Sequence, residues 1–150
     1  MKIKLSVRQE RYQEIRDTLL SHGIQVDEDA ELVLSERSRF LDSLLVRDRE
    51  TGARILLSTQ EIVSIESFGH DVVVYTPGGT YLAPDRLYKL AGQLDPAEFL
   101  RISNSVVIAK HQVVQIAPTL SMKFILTLRD GRTVDVTRSY YYIFKEFFGI

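Results

Sequence analysis

Ile3, Leu5 and Val7 alternate with polar residues at the head of the chain, the pattern of a half-buried strand. Tyr12, Ile15, Leu19 and Leu20 then fall at i, i+3, i+7 and i+8, an apolar stripe of helical period that stops before Gly23, a residue suited to closing a helix. Ile24, Val26 and Leu32 to Leu34 add strand material on either side of the acidic loop Asp27-Glu28-Asp29. Residues 1–42 therefore read as a small strand–helix–strand unit. Its short apolar patches are too few to bury themselves alone, so it is expected to pack on the rest of the chain or to form a dimer contact.

From Ser43 onward, short strands alternate with turn signals at close spacing, which predicts a second, mainly β unit over 43–150. Leu44–Arg47 and Ile55–Leu57 flank Glu50-Thr51-Gly52-Ala53 as a hairpin, and Ser58-Thr59-Gln60-Glu61 has the spacing of a capping box. Ile62–Glu66 and Val72–Thr76 are joined by Ser67-Phe68-Gly69-His70, and Thr76-Pro77-Gly78-Gly79 turns the chain back onto Tyr81–Leu82. Leu87, Leu90, Ala91 and Leu94 mark a helix. Strands resume at Phe99–Ile102, Val106–Ala109, Val113–Ile116, Phe124–Leu128 and Thr133–Val136. Asp130-Gly131 carries the signature of a type I′ hairpin, and Ser139 is a candidate N-cap before Tyr140–Phe148, an aromatic-rich helix or ordered tail.

Composition narrows the chemistry. With Cys 0 there is no disulfide, thiolate nucleophile or cysteine-ligated metal, which fits a reducing compartment. The N-terminus lacks a signal-peptide core, and no stretch approaches the roughly 18 apolar residues of a membrane span, so a cytoplasmic protein without direct membrane association is expected. The net charge of -1 conceals an uneven distribution: residues 101–150 carry 7 Lys and Arg against 3 Asp and Glu, or +4. That surplus permits a polyanion-binding face.

Enzyme signatures are mostly absent. His22, His70 and His111 lack metal-binding spacing, there is no Walker loop, nucleophile elbow or dinucleotide fingerprint, and no cofactor is expected. What stands out is a set of polar residues at strand ends: His70 after a hairpin glycine, Asn104-Ser105 between two apolar strands, and Arg138-Ser139 after the last strand. Each alone is explained as an ordinary turn residue or a solvated charge. Arg101, between Leu100 and Ile102, points away from their apolar face, where it can reach a phosphate or cover the sheet with its methylenes, and the structural role is preferred. The aromatics Tyr140 to Phe148 are read as core or dimer surface in preference to a base-stacking platform.

Taken in order, Ile62-Val63-Ser64-Ile65-Glu66-Ser67-Phe68-Gly69-His70, Tyr88–Leu94, Phe99-Leu100-Arg101-Ile102-Ser103-Asn104-Ser105-Val106-Val107-Ile108, Leu128-Arg129-Asp130-Gly131 and Val136-Thr137-Arg138-Ser139-Tyr140 resemble the LytTR DNA-binding domain of bacterial transcription regulators. The Phe-Leu-Arg-Ile-Ser-Asn-Ser block is the most specific. The resemblance implies an elongated, antiparallel, sandwich-like β fold that binds double-stranded DNA through loops, with no recognition helix. It places His70, Asn104 and Arg138 on the DNA-contacting loop positions, with Ser105 and Ser139 beside them, all on one exposed edge. It further implies a homodimer, or paired protomers on repeated half-sites, and no catalysis. The 42 residues in front are too few for the phosphoacceptor domain of many family members, so a short receiver-less regulator is expected. Two rivals stand against this reading: a β domain that senses a ligand or binds a protein, with incidental polar loops, and an enzyme pairing His70 or His111 with a carboxylate.

Overall fold

In the computed structural model, which describes residues 1–36 and 40–150, two compact units form, Met1–Arg39 and Phe40–Ile150. Leu41 and Asp42, read from the pattern as the end of the first segment, are tied to the second unit. The Leu41 N–H donates to the Gln93 carbonyl, and the Asp42 carbonyl accepts from the backbone N–H and hydroxyl of Thr59 at 2.9 and 3.0 Å.

The first unit runs β1 (Lys2–Ser6), α1 (Gln9–Ser21), β2 (Gln25–Val26) and β3 (Leu32–Ser35), with both outer strands parallel to β1 in the order β2-β1-β3. Ile3 and Leu5 are buried between exposed neighbours, as the alternation requires. α1 closes at Gly23 with the paired bonds of a Schellman end, Gly23 N–H to the Leu20 carbonyl and Ile24 N–H to that of Leu19. Its apolar stripe is only half covered. Tyr12, Ile15 and Leu19 are half-buried, while Leu20 and the β3 residues Leu32, Val33 and Leu34 are exposed. Arg8 joins the two ends of this unit through its backbone N–H and Nε, which donate to the Glu36 carboxylate at 2.7 and 3.0 Å. That backbone bond first, and the Arg8 charge after it, hold the Glu36 carboxyl below its ordinary range.

The second unit is mainly β. Strands β4 (Ser43–Asp48), β5 (Arg54–Ser58), β6 (Ser64–Phe68), β7 (Asp71–Thr76), β8 (Gly79–Leu82), β9 (Phe99–Arg101) and β10 (Val106–Ala109) form a seven-stranded antiparallel sheet in the order β5-β4-β8-β7-β6-β10-β9. Helix α2 (Leu87–Gln93) lies between β8 and β9 in the chain. β11 (Val113–Pro118), β12 (Phe124–Leu128) and β13 (Thr133–Val136) form a second antiparallel sheet, and helix α3 (Tyr141–Phe148) ends the chain.

All four residues of β10 are buried, and their alternation decides the layering. Val107 and Ala109 join a core with Leu87, Leu90 and Leu94 of the α2 region, whereas Val106 and Ile108 join one with Phe124, Leu126, Leu128 and Phe144. The large sheet is thus covered by α2 on one face and by the small sheet with α3 on the other. A strand buried on both faces reads as an unbroken apolar run, as Val106–Ala109 does. Burial of each Val or Ile side chain of this run contributes about 1.5–3 kcal/mol. Of the C-terminal aromatics, Tyr140, Tyr141, Phe144 and Phe148 join the second core, with Phe124 stacked on Tyr141 at 4.9 Å and Phe144 4.7 Å from Phe148, whereas Tyr142 is exposed.

The turns follow the sequence with two exceptions. The Asp48 carboxylate accepts from Thr51 and Glu50 N–H at 2.9 Å in the first hairpin, and these bonds hold it below its usual value. Ser58 Oγ accepts from Gln60 N–H and caps a single 3-10 turn over Thr59–Glu61. The Asp130-Gly131 turn, however, is not type I′, which needs positive φ at both residues. Only Gly131 has it, at φ 87, and the loop has three residues, closed by Leu128 N–H to the Arg132 carbonyl and Gly131 N–H to that of Leu128. Asp130 instead turns its carboxylate to the backbone N–H and Nε of Arg132, at 3.0 and 2.8 Å. Nor does Ser139 cap a helix. It sits inside a 3-10 turn over Arg138–Tyr140, and α3 starts after that turn with no side-chain cap.

Candidate nucleic-acid interface

Three loops meet at one end of the second unit. The β6–β7 hairpin turns over Gly69 and His70, with Phe68 opposite Asp71. Gly69 takes φ 60 at the first central position, the backbone that a II′-type hairpin turn demands, and this leaves His70 exposed at the tip. The Ser67 N–H donates to the Ser105 carbonyl at 2.9 Å, which joins this hairpin to the loop between β9 and β10. The Thr137 N–H donates to the Ile102 carbonyl at 3.0 Å, which joins the end of β13 to the other side of the same loop. The chain segments carrying His70, Asn104 and Arg138 are therefore laced together, and all three side chains are exposed.

The central loop is braced from within. Arg101 Nε donates to the Ser103 carbonyl at 3.2 Å, and its Nη2 donates to the Asn104 carbonyl. The Ser105 N–H donates to Ser103 Oγ, so Ser105 is half-buried and supports the loop. Arg101 accordingly holds the loop through its guanidinium, a structural role but a different one from the sheet cover preferred from the sequence. The Tyr140 hydroxyl donates to Asn104 Oδ1 at 3.2 Å, fixing the amide from across the loop. That bond uses the acceptor and leaves the amide donors unengaged among the described residues. Arg138 and Ser139 are exposed at the start of the 3-10 turn, and neither side chain forms a hydrogen bond among the described residues.

Open grooves flank Asn104 and its neighbours. One, of about 410 Å³, is lined by His70, Arg86, Tyr88, Arg101 and Asn104 among others. Another, of about 500 Å³, runs past Ser103, Ser105, Asp135 and Thr137. Among the described residues no group of three or more His, Cys, Asp or Glu is placed to hold a metal ion, and no helix is long and apolar enough to cross a membrane. His70 shares a groove with Asp71 and Asp85, without a hydrogen bond to either among the described residues. His111 Nε2 lies 3.3 Å from the Gln60 carbonyl and has no carboxylate partner there.

The LytTr DNA-binding domain model matches residues 52–149. The chain belongs to the LytTR DNA-binding domain family. Two relatives, each named sensory transduction protein LytT, agree with it: that of Bacillus anthracis is 28% identical over 86 residues and that of Bacillus cereus 27% over 86. In both, the match takes 57% of this chain and 35% of the relative, so it spans about a third of the length of these curated relatives. A solved LytTr DNA-binding domain from Bacillus cereus, 20% identical, superposes with a TM-score of 0.67 over 72% of this chain and 98% of its own. It shares the fold. The LytTR match begins inside the hairpin between β4 and β5, yet β4 pairs with both β5 and β8, so the folded unit reaches back beyond the matched residues.

In this LytTR unit the basic surplus of the final third is divided by function. Arg132, one cation of that surplus, is spent on a brace. Its Nη2 donates to the buried Ser64 hydroxyl at 2.6 Å, its guanidinium lies 3.7 Å from the Tyr75 ring centre, and Nε meets Asp130 Oδ2 at 2.8 Å. Desolvation pushes the Asp130 carboxyl upward, but the bonds and charge of Arg132 outweigh it and leave the group below its ordinary value. Lys123, by contrast, is exposed next to Phe124, which pairs with Val136 at the Arg138 end of β13. Sequence reasoning passed over Arg86 and Tyr88. Their signal was present, because Leu87 and Leu90 fix the buried face of α2 and leave positions 86 and 88 outside it.

Proposed function

We propose that this chain is a cytoplasmic bacterial transcription regulator that binds duplex DNA sequence-specifically through the His70, Asn104 and Arg138 loops. The observation that carries the reading is the lacing of these three loops into one exposed end of a rigid β unit. Arg138, with no protein partner among the described residues, has a free guanidinium fork for guanine O6 and N7. Asn104, oriented by Tyr140, offers its amide donors to a base edge or a backbone oxygen. His70 supplies one hydrogen bond to guanine or phosphate, and Ser105 and Ser139 flank these groups as backbone contacts. None of these roles needs a cofactor.

The protein acts as a homodimer or as paired protomers on repeated half-sites. The half-covered stripe of α1 and the exposed Leu32, Val33 and Leu34 support giving the first unit a packing or dimer-forming role. Selection from a randomised duplex library followed by footprinting tests the whole reading. An enriched motif protected as two half-sites, with affinity falling steeply as salt rises, is the expected result. Absence of enrichment together with salt-insensitive binding would turn the reading toward a protein- or ligand-binding module.

A further inference from the structure

The Arg86 carbonyl accepts from the Lys89 and Leu90 N–H groups at the start of α2, but its side chain has no partner among the described residues, unlike two of the cations around it. On the same helix Lys89 reaches Asp85 at 3.4 Å, and Arg101, across the groove, is consumed by the carbonyls of Ser103 and Asn104. Arg86 is exposed, yet its backbone is anchored by the next residue, Leu87, which is buried against the large sheet. It lines the 410 Å³ groove together with His70 and Asn104. Arg86 and His70 also line a second groove with Asp71 and Asp85, so an anion would approach Arg86 through the 410 Å³ groove, whose lining includes no carboxylate.

We infer that Arg86 is a phosphate clamp of the DNA interface, engaging the backbone that passes beyond His70. The inference rests on the DNA-binding reading and extends it to a residue outside the three loops. Its position on the α2 flank suits a guanidinium that meets the sugar–phosphate chain and fixes register, while the strand-end loops face the bases. A phosphate contact has a distinct signature, since each neutralised phosphate contributes about 0.9 to the slope of log affinity against log salt.

The test titrates the full chain, Arg86→Ala, Arg86→Gln and Arg86→Lys against the selected duplex and a scrambled one at 50 and 200 mM salt, with thermal melts to verify folding. Arg86→Ala and Arg86→Gln should weaken both duplexes by the same factor and leave the selected motif unaltered. Their affinity should fall about threefold less than wild type between the two salt concentrations, while Arg86→Lys keeps the wild-type slope. A wild-type slope in both neutral variants would overturn the clamp alone, as would a loss confined to the selected duplex. A wild-type chain without salt-dependent duplex binding would overturn the DNA reading, and the clamp with it.

Discussion

The two ends of β13 carry arginines of opposite fate. At its start Arg132 is folded inward: a hydroxyl, an aromatic face and a carboxylate occupy it, and it ties the turn of the small sheet to β6 and β7 of the large one. Past its end Arg138 is exposed and unpartnered among the described residues, beside a loop whose own polar groups are held still by Arg101 and Tyr140. The lesson is that a basic surplus counted along a chain says nothing about which cations remain available. A guanidinium whose donors are taken stabilises the fold, and one whose donors are free can bind a ligand.

The largest expected effect is on stability. Arg132→Ala removes a charged hydrogen bond to the buried Ser64 hydroxyl and leaves Asp130 without its counter-ion, which should cost about 2–3 kcal/mol in urea denaturation. Arg138→Ala should change stability by less than about 0.5 kcal/mol. Equal losses in the two variants would erase the distinction between the ends of the strand. Below that in size, Asn104→Ala should weaken the selected duplex by about 1–3 kcal/mol with little change in melting temperature, if the amide reads a base edge. Tyr140→Phe keeps the ring in place but releases the amide. A loss of about 0.5–1.5 kcal/mol in binding would show that holding Asn104 still matters, whereas wild-type affinity would make the bond incidental.

The smallest effect is one of pH. Asp130 sits below its ordinary value of 3.8, so its contribution to stability is present above that value and is lost as pH falls through the lower folded-state value. Melts recorded between pH 5 and pH 3 should therefore show wild type losing more stability than Asp130→Asn. Parallel curves would mean that Arg132 is held by Ser64 and Tyr75 alone. As a test of the proposed dimer contact of the first unit, Val33→Glu places a charge on exposed β3 and should give a lower mass by light scattering than wild type. An unchanged mass would remove β3 from any dimer contact.

Much of this architecture is legible in the sequence because strands carry a period of two and their turns are marked by Gly, Pro and Asx residues. β10 declares its double burial by an unbroken apolar run, and Asn104 shows itself as a polar break between β9 and β10. What stays hidden is pairing across distance. Ser64 and Arg132 are 68 positions apart, and Asn104 and Tyr140 are 36 apart, so neither contact leaves a local signature. The Asp130-Gly131 turn departs from its signature for a local reason: the dipeptide suits a two-residue hairpin, but the carboxylate is claimed by Arg132 two residues on and the loop takes a third residue. Ser139 has the chemistry of a helix cap, yet the chain tightens into a 3-10 turn there.

The central claim is that the free arginine at the end of β13 reads bases. Titration of wild type and Arg138→Ala against the selected duplex and a scrambled one, each at two salt concentrations, tests it directly. The account predicts a loss of about 1–3 kcal/mol on the selected duplex, a far smaller change on the scrambled one, and relaxed preference at one position of the motif. Equal weakening of both duplexes with the motif unaltered would contradict it. Arg138 would then be a backbone clamp, and base reading would have to come from His70, Asn104 or the shape of the DNA.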